Sequence, residues 1–544
     1  MTHINKQDLL DEIRFDIKAK DLLKARLVLA ALDKVDKDTQ KTALYEVSRA
    51  DDDFAIPLLA GVIANSPDVS KLFPLLKEVL FSKVLDSPQV FLDLFSKTDG
   101  LLNRGFLAEI AGEIRLKKAA PVLLGILNEE KDMKTIEKII LSLGMMGDPS
   151  AAGPVSKFLY SDHGGVVITS VFTLGELATP EAFQKLADKL GEDPDIDIMI
   201  IDIFAKGHVP DALEKLNETL GSPHAHIRTA GKQRLGEIGA MATRVLARNL
   251  LSHDSDLVLH SLNVLGDIGN ASPIPAILKL LHDEPEDPNV RFAAYEALGR
   301  LPLEKGAYVL ATGLEDPVDN VRAAAAKAID RHYTPVLAAG IKNLTRSGDT
   351  EAIKIMLTMI NTQCDNIFLS LLEEDFFQAT AIKYLANNAH PNISSHFAEL
   401  LNKEGYNNLA NEITPQKKTK DKEKLKVFVV DDSKMVLNIY RTFLHNLGYK
   451  SQLFEFPALA QERLREEKPD VILTDLNMPD ITGIDFTRSI RQLYSEEDLP
   501  VIMVTTQDEA KDHKAAYEAG VSDIMQKPFT EEQIGKALEK FSGK

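Results

Sequence analysis

The sequence predicts a multidomain protein in which a long all-helical repeat domain precedes a smaller α/β domain with a five-stranded parallel sheet. Three observations lead to this prediction. The chain has 544 residues, which is too many for one ordinary hydrophobic core. Pairs of an apolar residue and a glycine recur at a nearly constant spacing through the longer, N-terminal part. In the last part, short apolar runs alternate with segments of helical pattern.

Composition and charge argue against several classes of function. Apolar residue types make up 44% of the chain and charged residues 27%, as in ordinary globular proteins. A net charge of −19 disfavours nucleic acid and anionic membranes as partners. The single cysteine, Cys364, allows no intrachain disulfide, and we expect it to be a small buried residue in a reducing compartment. No apolar run approaches the roughly 18 residues that span a bilayer, and the N-terminus is too charged for a signal peptide. We therefore expect a cytoplasmic protein.

A sharp change in composition separates the two predicted domains. Residues 414–424 read TPQKKTKDKEK, with no apolar residue and many lysines, which is typical of a solvated linker. We therefore predict a helical repeat domain over 1–413 and an α/β domain over 425–544.

The repeat is seen most clearly in its glycines. They follow one another at steps of 30 to 33 residues, with one double step of 61, which predicts a solenoid of stacked helical units. One unit begins at Asp287-Pro288, as N-cap and first-turn residues do, and we expect Gly299 to end its helix. Between them, small residues give a narrow face for close helix packing: Val290, Ala293, Ala294 and Ala297.

This pattern, D-P-x-V-R-x-A-A…L-G, resembles HEAT-like repeats, which also occur in phycobilisome-lyase-type proteins. The resemblance is strongest from about 105 to 330; residues 8–103 and 333–412 are expected to be capping or diverged repeats. It implies a right-handed superhelical solenoid with a concave binding surface and usually no catalysis. For Arg228, Arg291 and Arg322 we favour a structural role within the repeats over ligand binding.

The α/β domain is predicted from apolar runs that mark strands buried on both faces, joined by helices in parallel βαβ units. Strands are expected near 426–431, 450–455, 470–475, 500–505 and 522–526. Helices are expected near 433–447, 457–467, 484–494, 508–519 and 530–541.

Polar side chains stand where these strands end. Asp431 and Asp432 end the first strand, Asp475 the third and Thr505 the fourth, and Lys527 follows the fifth. Because ligands of open parallel sheets bind outside the carboxyl ends of the strands, we expect these residues to converge at one edge.

The chemistry of this edge follows from its charges. Three neighbouring carboxylates repel one another unless a cation intervenes, and oxygen-only ligands suit Mg²⁺. A carboxylate can also act as a nucleophile and become an acyl phosphate, while a metal and a lysine neutralise the transferring phosphoryl group.

Four runs in this order, VFVVDDSKM, ILTDLNMPDITG, PVIMVTTQ and MQKPF, resemble the response-regulator receiver domain over residues 426–541. The resemblance implies a flavodoxin-like (CheY-like) fold with Asp475 as the phospho-acceptor. It implies Mg²⁺ ligation by Asp432 and Asp475, by Asp431 chiefly through water, and by the backbone carbonyl of Asn477.

The same resemblance implies roles for residues after the later strands. Lys527 would pair with the phosphoryl group, with a cis Lys527–Pro528 peptide bond, and Thr505 would hydrogen-bond a phosphoryl oxygen. Gly483 would permit the turn before the third helix. Ile524 stands where many members have Tyr or Phe, so the aromatic half of the usual conformational switch is absent.

Together these features predict a response regulator of a two-component phosphorelay, not an enzyme. A sensor histidine kinase or phosphotransfer protein would phosphorylate Asp475, and the solenoid's binding to a protein partner would change. No DNA-binding output domain is expected after the receiver. Two alternatives stay open: a scaffold whose receiver is a docking module or phosphate sink, and a bilin-lyase-like enzyme under receiver control.

Overall fold

The computed structural model describes residues 6–65, 74–96, 104–207, 209–303, 307–413, 425–478, 481–506 and 510–541. The predicted linker over 414–424 lies outside these residues. The chain divides into two compact units, Met1–Lys215 and Leu216–Lys544. Within the described part of the chain, no helix is both long enough and apolar enough to cross a bilayer.

In the described part of the first unit, all secondary structure is helical. Its helices are α1 Lys6–Ala19, α2 Leu22–Ala30, α3 Lys37–Arg49, α4 Asp52–Asn65, α5 Pro74–Asp86, α6 Pro88–Asp93, α7 Arg104–Glu113, α8 Ala120–Leu127, α9 Met133–Met146, α10 Ala152–Ser156, α11 Gly164–Leu177, α12 Pro180–Lys189 and α13 Pro194–Lys206. Helices α7, α9, α11 and α13 stack each on the next, and the intervening helices pack beside them. This is the repeated packing that the spacing of the glycines predicts.

The second unit continues the helical repeat as far as residue 413. After α14 Pro210–Glu218, which spans the division between the units, its helices are α15 Ala225–Ile238, α16 Thr243–Asn249, α17 Ser255–Ile268, α18 Ile274–His282, α19 Pro288–Arg300, α20 Val309–Thr312, α21 Asp319–Arg331, α22 Pro335–Thr345, α23 Thr350–Asn361, α24 Asp365–Leu371, α25 Asp375–Asn387, α26 Pro391–Lys403 and α27 Asn407–Ile413. Helices α15, α17, α19, α21 and α23 again stack in order. We call these five helices the helix stack.

The recurring glycines allow these helices to approach closely. A Cβ added to Gly112 would lie 2.9 Å from the Cα of Ser142 on the next stacked helix, and one added to Gly299 would lie 3.3 Å from Ala328. The expectation that Gly299 ends its helix is wrong, because α19 continues to Arg300. Helices α9 and α17 each end at a second glycine, which stands three residues after the repeat glycine. These two residues, Gly147 and Gly269, take left-handed φ values of 63° and 69°.

Other details of the repeat agree with the sequence. Asp287 accepts a hydrogen bond from the backbone N–H of Asn289 at the start of α19. Three arginines each donate to the backbone carbonyl six residues earlier: Arg228 to Ser222, Arg291 to Pro285 and Arg322 to Asp316. These contacts fix the turn that leads into each stacked helix, in accord with the structural role predicted for the arginines. Cys364 is fully buried, as expected.

The C-terminal part has a doubly wound α/β fold. Its strands are β1 Lys426–Val430, β2 Lys450–Phe454, β3 Val471–Asp475, β4 Val501–Thr505 and β5 Asp523–Gln526. Its helices are α28 Lys434–Asn446, α29 Pro457–Glu466, α30 Gly483–Arg491, α31 Ala510–Glu518 and α32 Glu531–Glu539. All strands are parallel, in the order β2-β1-β3-β4-β5. Helices α28 and α32 cover one face of the sheet, and α29 and α30 contribute to the core on the other. The predicted fold class is confirmed.

Candidate functional site

Adjacent strands bring two aspartates to the same edge of the sheet. Val430, the last residue of β1, pairs with Thr474 of β3, so Asp431 and Asp475 follow side by side. Both carboxylates are buried, with Asp431 at 1% and Asp475 at 8% exposure. Buried charges are costly unless paired, so this edge requires a cation.

Lys527 supplies that cation. Its Nζ lies 2.7 Å from Oδ2 of Asp431 and 2.7 Å from Oδ1 of Asp475. The residue follows β5 directly, and the peptide bond to Pro528 is cis, as predicted. One ammonium group therefore bridges two carboxylates from different strands.

Backbone groups hold the two carboxylates from the other side. The N–H of Asn477 donates to Oδ2 of Asp475 at 2.9 Å, and that of Ser433 donates to Oδ1 of Asp431 at 3.0 Å. Behind Asp475 the chain turns so tightly that a Cβ on Gly483 would clash with the carbonyl oxygen of Asp475. Only glycine fits at this turn, because any side chain would collide with the backbone of Asp475 and Leu476.

The excess of carboxylates shifts the pKa values of this cluster. Burial, then the charges of Asp475 and Asp431, raise the pKa of Asp432 to about 7. Burial also raises the pKa of Asp431, although Lys527 opposes the shift. Burial would lower the pKa of Lys527, but Asp431 and Asp475 hold it well above its ordinary value. Lys527 is thus always positively charged, but its single charge does not balance the three aspartates of the cluster.

The donor set fits Mg²⁺. All donors are oxygens, and the side-chain Oδ1 of Asn477 is buried without a hydrogen-bond partner beside Asp475. Among the described residues, no three Asp, Glu, His or Cys side chains gather closely enough to hold a metal ion by themselves. Mg²⁺ does not need three, because it commonly takes one or two carboxylates and completes its shell with water and phosphate oxygens.

Thr505 and Ile524 occupy the positions predicted for them on the strands. Thr505 ends β4 and is buried, while its neighbour Thr506 borders the open space in front of the carboxylates. Ile524 lies in β5 and packs against a small apolar cluster that includes Met503 and Ala516. The aliphatic side chain of Ile524 thus stands where an aromatic ring was not expected from the sequence.

The cluster opens into a cavity of about 850 Å³. Five of the predicted site residues border this cavity: Asp431, Asp432, Asp475, Asn477 and Lys527. Thr505 follows Val504, the partner of Asp475 in the sheet, and is buried at the same edge. The opposite wall belongs to the helix stack, with side chains that the sequence reasoning missed: Lys232, His260, Asn289, Glu296 and Arg300. Nothing in the local sequence around these residues indicates a site, because only the packing of α15, α17 and α19 brings them there.

Comparison with known proteins agrees with both parts of the architecture. The family model of the response regulator receiver domain matches residues 427–539, and that of HEAT repeats matches residues 249–330. A chemotaxis protein CheY homolog of Campylobacter jejuni is 35% identical over 121 residues, which are 22% of this chain and 93% of that protein. Chemotaxis protein CheY1 of Helicobacter pylori is 34% identical over 117 residues, 21% of this chain and 94% of that protein.

A third relative is a larger protein. The aerobic respiration control sensor protein ArcB of Escherichia coli is 29% identical over 117 residues, which are 22% of this chain and 15% of ArcB.

Proposed function

This chain belongs to the response-regulator receiver family, and from that premise we propose that Asp475 accepts a phosphoryl group from a phosphohistidine of another protein. The observation that carries the proposal is the position of Lys527, whose Nζ lies 2.7 Å from both Asp431 and Asp475 at the strand ends. A charged donor in this place is suited to neutralise a phosphoryl group on Asp475.

The transfer needs only the groups at this edge of the sheet. One carboxylate oxygen of Asp475 attacks phosphorus in line with the P–N bond of the phosphohistidine. An O–P bond forms as the P–N bond breaks, and the bonding electron pair stays on the histidine nitrogen as a lone pair. With the other ring nitrogen protonated, the histidine leaves as a neutral imidazole. Lys527 balances charge on the phosphoryl oxygens, and the backbone N–H of Asn477 keeps the Asp475 carboxylate in place.

We include Mg²⁺ in the proposed reaction. Asp432, Asp475 and the carbonyl of Asn477 would hold the ion, with Asp431 contributing through water. Bound Mg²⁺ supplies positive charge to the phosphoryl oxygens during transfer. The raised pKa of Asp432 supports this assignment. A carboxyl group that keeps its proton up to about pH 7 has too little positive charge nearby to stabilise its ionised form, and Mg²⁺ would supply that charge.

The phosphoryl donor is proposed to be a sensor histidine kinase or a phosphotransfer protein. The likeness to part of a sensor protein and to chemotaxis proteins supports this class of donor. The output is proposed to be a change in how the HEAT repeats bind a protein partner, with no reaction catalysed by the solenoid itself. Phosphorylation would shift the populations of two conformations, and the differential affinity of the partner for them sets the size of the response.

The test is direct labelling of the full-length protein. Incubated with Mg²⁺ and acetyl phosphate, the protein is expected to gain the mass of one phosphoryl group, measured on the intact chain. Asp475→Asn is expected to gain none. Asp485→Asn, at an exposed aspartate of α30 that pairs with Arg488, is the matched control and is expected to label as the wild type does. Equal labelling of Asp475→Asn would contradict the proposal.

A second measurement separates a switch from a phosphate sink. Hydrogen exchange of the full chain, before and after labelling, is expected to change in the helix stack if the solenoid responds. A phosphate sink predicts change confined to residues 425–544.

A further inference from the structure

The receiver domain packs its site face against the helix stack. Helix α28 contacts α21 and α23, and its apolar face shares one hydrophobic cluster with Ala323 and Phe292 of the stack. Asn289 Nδ2 donates to the backbone carbonyl of Lys527 at 2.8 Å. The wall opposite Asp475 is therefore built from stacked helices that contact the receiver directly.

Lys232 of α15 is the cation of this wall that is not already engaged. It borders the same cavity as Asp432 and Asp475, and no ion pair joins it to any carboxylate that the structure describes. The two other cations that border the cavity are occupied, Lys527 by Asp431 and Asp475, and Arg300 by Asp267. Lys232 is partly buried where it borders the cavity.

The electrostatic surroundings of Lys232 point toward the phosphorylation site. The pKa of Lys232 is lowered overall, chiefly by burial and then by the nearby Arg228, and the charges of Asp475, Asp432 and Asp267 oppose this shift. The other charged or titratable groups on the solenoid wall are Glu237, Glu296, Arg300 and His260. Lys232 thus lies within the electrostatic influence of the two aspartates, and no ion pair joins it to either of them in the part of the chain that the structure describes.

We propose that Lys232 is a phosphoryl-binding residue, supplied by the solenoid to a composite site on Asp475. The assignment rests on the proposed phosphorylation of Asp475. A phosphoryl group adds negative charge and acceptor oxygens on the side of Asp475 that faces the cavity. In the proposed site these oxygens accept a charge-assisted hydrogen bond from Lys232, which borders the same cavity and forms no ion pair with unphosphorylated Asp475.

The consequence is a direct readout of phosphorylation by the repeats. The phosphoryl group would lie between Lys527 of the receiver and Lys232 of α15, so that phosphorylation tightens the contact between the receiver and the helix stack. No conformational switch through an aromatic side chain is needed, which agrees with Ile524 at the position where many receivers have Tyr or Phe.

The test uses beryllofluoride as the probe, a phosphoryl analogue that binds an aspartate with Mg²⁺, titrated into the full-length protein by calorimetry. Lys232→Gln is expected to weaken beryllofluoride binding about tenfold, the effect of losing one hydrogen bond to a charged group. Lys279→Gln makes the same charge change at an exposed lysine of α18 and is expected to bind as the wild type does. Lys232→Arg, which keeps the positive charge, is expected to retain most of the affinity.

The outcomes distinguish the role of Lys232 from the phosphorylation of Asp475. If Asp475 is labelled by acetyl phosphate in the wild type but Lys232→Gln binds beryllofluoride as tightly as Lys279→Gln, the role of Lys232 is refuted and the phosphorylation site stands. If the wild type neither labels nor binds beryllofluoride, the proposed function fails, and the role of Lys232 with it. Should Lys232→Gln fold poorly, weak binding by the well-folded Lys232→Arg would equally refute a role that depends on charge.

Discussion

At the scale of single residues, the site is a small excess of negative charge held in place by one lysine. Asp431 and Asp475 are buried and share Lys527, while Asp432 borders the cavity and forms no ion pair with any residue that the structure describes. These residues were predictable from sequence because each follows a strand of a parallel sheet, and such strand ends meet at one edge. Lys232 was not predictable, since α15 lies about 200 residues before β1 and only packing brings them together.

Removal of Lys527 should destabilise the folded protein strongly. In Lys527→Met, Asp431 and Asp475 are left buried without a cation, which costs about 3–5 kcal/mol in the free energy of unfolding. Urea unfolding measures the loss. The exposed pair of Lys540 and Asp523 is the matched control, and Lys540→Met should cost less than about 1 kcal/mol. Equal losses in the two variants would show that Lys527 is not paired as described.

The pKa of Asp432 leads to a dependence of stability on pH. It is raised to about 7 in the folded, metal-free protein, so between its ordinary value of about 4 and pH 7 the folded state binds more protons than the unfolded state. Stability should therefore fall as the pH rises through this range. In Asp432→Asn this contribution disappears, so the variant should lose less stability than the wild type between pH 5 and pH 8.

Calorimetric unfolding in the presence of EDTA measures this difference. Asp485→Asn, which removes an exposed carboxylate paired with Arg488, should follow the wild type. Parallel curves for Asp432→Asn and the wild type would mean that Asp432 titrates near its ordinary pKa.

At the scale of helices and strands, the sequence predicts where most elements of the receiver begin and end to within one or two residues. The apolar runs at 426–430, 471–475 and 501–505 are strands buried on both faces, and such runs have few alternatives. The repeat glycines were located correctly but interpreted wrongly. A glycine near a helix end suggests a cap, whereas the need for close contact with the next helix depends on packing that the sequence does not display.

Close contact between stacked helices predicts that replacement of glycine by alanine has opposite effects on stability at two helical positions. Gly112→Ala places a Cβ 2.9 Å from the Cα of Ser142 and should destabilise the protein by about 1–3 kcal/mol. Gly125→Ala meets no atom within 4 Å and should stabilise its helix by about 0.5–1 kcal/mol. Urea midpoints of the two variants provide the comparison, and a stabilising Gly112→Ala would rule out close packing at this position.

At the scale of the whole molecule, the two compact units do not coincide with the two domains predicted from composition. The chain divides after Lys215, inside the predicted repeat domain, because the later repeats pack with the receiver in one unit. The domain limits at 413 and 425 stay a prediction about composition and fold. Docking of the receiver on the repeats could not have been predicted, since the residues that make the contact are ordinary apolar and polar residues of their own elements, such as Phe292 and Asn289.

The central claim, that Asp475 carries the phosphoryl group, is tested most directly by locating the modified residue. Full-length protein labelled with acetyl phosphate and Mg²⁺ is reduced with borohydride, which converts an aspartyl phosphate to homoserine, and the peptides are then mapped by mass spectrometry. Phosphorylation of Asp475 predicts homoserine at position 475 and unmodified aspartate at positions 431 and 432. Homoserine at either of those two positions, or at none of the three in protein whose intact mass shows labelling, would contradict it.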